Sequence, residues 1–202
     1  MKDFFCQIVK NIYRLKIPFD CIYTSVFLVR TSKGYMLVDC ATTDEDVNKW
    51  IIPALNQMGL KLKDIQFLLL THKHGDHVGG LRQIFRLNKN IQVINEPNIV
   101  FDDMEILHMA GHTLDCIGVL ELQSSTLIAG DGLQGAGVDK YRCSLESKEE
   151  YLKKTIEKVK TDKRIKNIFF SHAYEPWEKD AIFGRKEIQK CLQDCINCIK
   201  GE

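Results

Sequence analysis

Short apolar runs broken by turn residues open the chain. Residues 4–15 and 22–30 have the β-branched and aromatic content of strands, and Thr31-Ser32-Lys33-Gly34 is a turn into a third strand at 35–38. The pattern predicts an opening β-meander. The period then changes. Val47, Trp50, Ile51, Ala54, Leu55 and Met58 recur at helical spacing, which predicts a helix over 44–58, bent at Pro53 and ended by Gly59. Residues 65–70 form a continuous apolar run of strand length, expected to be buried on both faces.

A helix over 78–87 follows, with Gly79 and Gly80 expected to let its first turn pack closely. Strands are predicted at 91–95 and 105–109, and a hairpin at 116–122 and 126–129 around Gln123-Ser124-Ser125. An amphipathic helix over 147–160, a strand over 167–170 and a last helix over 179–200 complete the pattern.

Composition narrows the class. A chain of 202 residues, 45% hydrophobic, can bury a sizeable core, and one domain over 1–202 is expected. The net charge of +1 gives no global attraction to nucleic acid. The first residues show no basic stretch leading into a long apolar run, and no apolar stretch has the length of a membrane span. The expectation is a soluble, cytoplasmic protein with neither membrane nor nucleic acid as partner. Its eight cysteines are then read as free thiols.

The chemistry concentrates where the 65–70 run stops. Thr71-His72-Lys73-His74-Gly75-Asp76-His77 sets four possible metal ligands within six residues. His72 and His74, two apart, would point to different faces of a helix, whereas a strand end turning through Gly75 can aim both at one point. Other strand ends repeat the theme. His112 follows the 105–109 strand, Asp131 lies between Gly130 and Gly132 after the 126–129 strand, and His172 follows the 167–170 strand. Five of the six histidines therefore stand at strand ends, an arrangement that makes sense when those ends converge. His108 is the exception, read as structural or surface. Asp39, directly after a strand, is either a loop carboxylate or a hydrogen-bond partner of a metal-bound imidazole.

Taken together, Thr71-His72-x-His74-x-Asp76-His77, Gly111-His112-Thr113, Gly130-Asp131 and Ser171-His172 resemble the ligand set of the metallo-β-lactamase fold superfamily. The resemblance runs from the 35–39 strand to His172. It implies an α/β fold, a four-layer αββα sandwich, with a binuclear metal site at one edge. His72, His74 and His112 would hold one ion, Asp76, His77 and His172 the other, and Asp131 would bridge them. Asp39 would support a ligand. The ions would be two divalent metals, zinc first, with iron or manganese as alternatives.

The resemblance implies a hydrolase in which a metal-bridging hydroxide attacks an acyl bond and Asp76 orients it. Two divalent cations set against Asp76, Asp131 and one hydroxide leave about one positive charge, suited to a polarised carbonyl or an anionic group. Glyoxalase II-like thioester hydrolases match better than exported β-lactamases, which lack the bridging carboxylate. Flavodiiron proteins match less well, since they place a carboxylate where His74 stands. A thioester or related ester of a small acyl substrate is expected, with lactone or phosphodiester cleavage, or a non-catalytic metal-binding role, as alternatives.

Three further features are weighed. Residues 140–166 hold ten Lys or Arg against five Asp or Glu, read chiefly as a solvated face, with Lys140, Tyr141 and Arg142 as candidate contacts for an anionic substrate. Tyr174 is a candidate substrate contact or a packing residue. Cys191, Cys195 and Cys198 have the spacing of an iron–sulfur motif, but they share a helical face with Ile188, Leu192 and Ile199 and are read as core.

Overall fold

The computed structural model describes residues 4–19, 22–97, 99–133, 149–173 and 179–200. The chain divides into two compact units, Met1–Asp103 and Met104–Glu202.

The first unit is built on a six-stranded sheet of order β1-β2-β3-β4-β5-β6. Strands β1 (Cys6–Val9), β2 (Ile12–Phe19), β3 (Ile22–Thr31) and β4 (Gly34–Val38) form the antiparallel meander. The single strand expected over 4–15 is in fact a hairpin. Asn11 turns the chain at φ 66, a left-handed conformation that Asn tolerates better than other non-glycine residues. Strands β5 (Ile65–Leu69) and β6 (Gln92–Ile94) then add in parallel to β4. Because β4, β5 and β6 run in the same direction, the segments leaving their C-terminal ends share one edge of the sheet, the edge where open α/β sheets carry ligands.

The helix expected over 44–58 is one helical stretch of three parts: α1 (Asp44–Asp46), a π-helical turn (Val47–Ile51) and α2 (Ile52–Gln57). Thr43 caps it, its hydroxyl accepting from the Asp46 N–H. The wide turn falls just before Pro53, whose missing N–H could not close an ordinary helical bond. Gly59, at φ 76, ends the stretch as expected. Val47, Ile51, Ala54 and Leu55 pack with Leu15, Val26, Leu28, Leu37 and Leu68 in the apolar core of this unit. The alternate strand residues Phe27, Val29, Met36, Val38 and Leu69 are also buried, so the central strands are covered on both faces.

The second unit carries a five-stranded sheet of order β11-β10-β9-β8-β7. Its strands are β7 (Met104–His108), β8 (Ile117–Glu121), β9 (Thr126–Ile128), β10 (Asn167–Phe169) and β11 (Ala181–Phe183). β8 is antiparallel to both β7 and β9, and β10 is parallel to β9. Strands β7, β9 and β10 therefore point the same way, and their C-terminal ends share an edge. Strand β11 lies inside the stretch expected to be helical over 179–200. Gly184, at φ 84, ends the strand, and α6 (Arg185–Lys200) begins only after it.

Helix α5 (Glu149–Thr161) and α6 pack Leu152, Ile156, Val159, Ile188, Cys191 and Leu192 against Leu107, Leu120, Leu127 and Ile168. Arg185 holds the end of α5, its guanidinium donating to the carbonyls of Lys160, Asp162 and Ile165. Cys191 lies in this core and Cys195 packs on it, as expected for a helix face; the Cys198 side chain falls outside the described residues. Lys153 and Lys154 pair with Glu149 and Glu150 one turn away on an exposed face, as the solvated reading anticipates. Among the described residues, no helix is long and apolar enough to cross a membrane.

Candidate functional site

In the first unit the ligand stretch leaves β5 and turns at once into α3 (Gly75–Val78), so Asp76 and His77 sit on a short helix rather than on a loop. The helix predicted to start at 78 begins three residues earlier and breaks at Gly79 and Gly80, with α4 (Leu81–Leu87) beyond. Both glycines are required by close approach. A Cβ on Gly79 would stand 1.7 Å from the Thr42 carbonyl oxygen, and one on Gly80 would stand 2.3 Å from that of Cys40.

The strap after β4 is what they approach. It binds α3 through Cys40 N–H to the His77 carbonyl at 2.8 Å and through Gly79 N–H to the Ala41 carbonyl at 2.9 Å. The Cys40 thiol also donates to the His77 carbonyl, at 3.3 Å. Asp39 and Ala41 hold left-handed φ of 64 and 65 in this strap, strain the surrounding contacts must hold in place. Burial and the adjacent Asp39 carboxylate push the Cys40 thiol far up, so it stays protonated.

Asp39 is fully buried, and its oxygens are met by donors. The Thr71 N–H donates to Oδ1 and the Thr71 hydroxyl to Oδ2, each at 2.8 Å. His77 Nδ1 also lies 2.8 Å from Oδ2. Of the two readings open for Asp39, the hydrogen-bond partner of an imidazole is the one observed. The His72 ring packs 4.6 Å from that of His74 and 4.1 Å from that of His77, centroid to centroid.

A carboxylate only accepts, so the Asp39 contact asks for a proton on His77 Nδ1 and turns Nε2, the other ring nitrogen, toward Asp76. That Nε2 lies 3.3 Å from Asp76 Oδ2. An imidazole nitrogen and a carboxylate oxygen at this separation can hold one cation between them. The donor set therefore fits a metal ion, with imidazole and carboxylate atoms of the kind zinc, iron and manganese accept.

In the second unit, Asp131 stands after β9 with Gly130 at φ 55. Its Oδ2 lies 3.7 Å from His112 Nε2 and its Oδ1 lies 3.5 Å from His172 Nε2, so each oxygen faces one imidazole beyond hydrogen-bond range. His172 and Asp131 are buried and His112 is nearly so. The loop bearing His112 is closed by Met109 N–H to the Cys116 carbonyl at 2.7 Å and seated on α5, whose Thr155 hydroxyl donates to the Ala110 carbonyl at 2.5 Å. Gly111 permits this seat, since a Cβ there would meet Leu152 at 2.8 Å. His108, set aside in the sequence, bonds the Leu114 carbonyl of the same loop through Nε2 at 2.9 Å. Burial raises the Cys116 thiol to about 11.

His72, His74, Asp76 and His77 in the first unit, and His112, Asp131 and His172 in the second, are the described side chains that could hold a metal ion. The candidate substrate contacts Lys140, Tyr141, Arg142 and Tyr174 lie outside the described residues. Thr71 was missed by sequence reasoning. Only its place directly before His72 could have signalled it.

The profile of the metallo-beta-lactamase superfamily matches residues 20–105. A beta-lactamase-like protein 2 homolog of Drosophila melanogaster is 28% identical over 178 residues, covering 74% of this chain and 58% of its own. An atrochrysone carboxyl ACP thioesterase of Claviceps purpurea is 25% identical, over 56% of this chain and 41% of its own. A hydroxyacylglutathione hydrolase of Francisella tularensis is 29% identical over 91 residues, 37% of this chain and 36% of its own.

The chain thus spans about two to three fifths of the length of such curated relatives. Among solved structures, a metallo-β-lactamase from Erythrobacter litoralis superposes with a TM-score of 0.76 at 18% identity, over 96% of both chains. The mono-zinc form of FIM-1 from Pseudomonas aeruginosa gives 0.73 at 17% identity, over 96% of this chain and 95% of its own.

Proposed function

Starting from a chain that has the α/β metallo-β-lactamase fold and is a member of that superfamily, related to hydroxyacylglutathione hydrolase, we propose that its seven strand-end ligands form one binuclear centre that hydrolyses an acyl bond, a thioester by preference. The observation that carries the reading is His77 Nε2 set 3.3 Å from Asp76 Oδ2 while Nδ1 is held by Asp39. His72, His74 and His112 would hold one ion, Asp76, His77 and His172 the other, and Asp131, with an oxygen toward each of two imidazoles, would serve both. Zinc is the first choice, and a mono-zinc form among the structural neighbours supports it.

Divalent metal at such a centre lowers the pKa of water to about 7 and polarises a carbonyl. The chain's own residues do the rest. Asp76 orients the attacking water through its carboxylate. Asp39 and Thr71 keep the His77 ring in one tautomer and one orientation. Thioester preference follows from the leaving group: a thiolate, with a pKa near 8.5, departs without a proton donor, whereas an amide nitrogen or an alkoxide asks for one. Two relatives, one named a thioesterase and one a hydroxyacylglutathione hydrolase, support this class. An anionic acyl thiol would suit Lys140, Tyr141, Arg142 and Tyr174 as contacts.

The test is kcat/KM for hydroxyacyl-glutathione, other acyl thioesters, a lactone, a β-lactam and a bis-aryl phosphodiester on zinc-loaded protein. Thioesters are expected to lead. A phosphodiester ahead by tenfold would replace the reading with a phosphodiesterase.

A further inference from the structure

We infer that Thr71 is a positioning residue that sets the tautomer of His72, as Asp39 sets that of His77, so that each ring keeps Nε2 unprotonated for metal. The inference rests on the metal-centre reading above, but its protonation pattern exists in the metal-free protein. Thr71 is almost fully buried at the end of β5. Its hydroxyl oxygen lies 2.8 Å from Asp39 Oδ2, 3.2 Å from His72 Nδ1 and 3.3 Å from His77 Nδ1.

The proton count decides the arrangement. A carboxylate accepts only, so the groups at 2.8 Å from Asp39 Oδ2, the Thr71 hydroxyl and His77 Nδ1, must both donate to it. The one hydroxyl proton of Thr71 is then spent, and its oxygen can only accept. His72 Nδ1 must therefore bring the proton to that contact. A neutral imidazole has a single N–H, so Nε2 of His72, like that of His77, is left unprotonated. One hydroxyl and one carboxylate thus fix two rings. The Thr71 N–H to Asp39 Oδ1, at 2.8 Å, anchors the hub through the main chain and survives any side-chain change.

Thr71→Val keeps the shape and deletes the hydroxyl, while Thr71→Ser keeps the hydroxyl. Long-range proton–nitrogen NMR on metal-free protein with labelled histidine, at neutral pH, reads which ring nitrogens carry hydrogen. The expected result is Nδ1–H on both rings in the parent and in Thr71→Ser, with His72 shifting to a mixture of tautomers in Thr71→Val. Zinc affinity, by competition with a chelator, should fall about 10- to 100-fold in Thr71→Val and be retained in Thr71→Ser. A proton on Nε2 of His72 in the parent would overturn the inference, as would a Thr71→Val protein with the parent's tautomers and affinity. A parent that takes up no zinc would instead count against the metal centre, leaving the NMR result to decide the role of Thr71.

Discussion

His77 Nδ1 lies 2.8 Å from Asp39 Oδ2, and both side chains are fully buried. This contact joins the end of β4 to the helix that follows β5, two elements set side by side by parallel pairing. It also explains why an acidic residue is kept in a left-handed conformation there. Its carboxylate is the partner that orients a ligand ring.

Asp39→Ala should therefore act on metal before it acts on fold. The substitution leaves the His77 and Thr71 donors without their acceptor, and loss of such outer partners weakens metal binding or turnover about 10- to 100-fold. Chelator competition alongside turnover measures it. A variant with parental zinc affinity and rate would show that the contact orients nothing.

Gly79→Ala tests the strap. The added Cβ would meet a backbone carbonyl at 1.7 Å, whereas one on Gly75 meets nothing within 4 Å. The Gly79 variant should lose about 3 kcal/mol or more, a fall in Tm of about 6–12 °C, with Asp76 and His77 displaced and metal lost. Gly75→Ala should keep Tm and metal near the parent values. Equal behaviour of the two variants would contradict the close packing.

The buried thiols predict an alkaline weakness. Cys116 is raised by burial to about 11, and Cys40 is raised as well. Between the unfolded thiol value of about 8.5 and about 11, the unfolded chain loses the proton that the folded chain keeps, so stability falls as pH rises. Cys116 alone contributes about 3 kcal/mol, present in full below that window and lost above it. Denaturant midpoints from pH 8 to 11 should drop for the parent and drop less for Cys116→Ala. A parent curve that stays flat would refute the assignment.

The ligand residues were legible because they are chemically dense. His72, His74, Asp76 and His77 crowd into six positions, and His112, Asp131 and His172 each follow an apolar strand. Thr71 was not legible, since a threonine at a strand end is ordinary and its role depends on Asp39, 32 residues earlier in the chain. The β1–β2 hairpin was hidden because Asn11 alone marks the turn between two apolar runs. Strand β11 was hidden because it is only three residues long, Ala181–Phe183, too short for alternation to show before Gly184. Gly34, Gly59 and Gly184 all take positive φ, but only the first two stood between segments already recognised as separate.

The central claim is that two ions share seven ligands, and metal stoichiometry tests it most directly. Protein stripped with chelator, reloaded with zinc and passed through a desalting column should retain close to two ions per chain by elemental analysis. Asp131→Ala should loosen both ions together, while Asp102→Ala, outside the ligand set, should keep both. A parent that retains no metal, or an Asp131→Ala protein that retains two ions as tightly as the parent, would contradict the account.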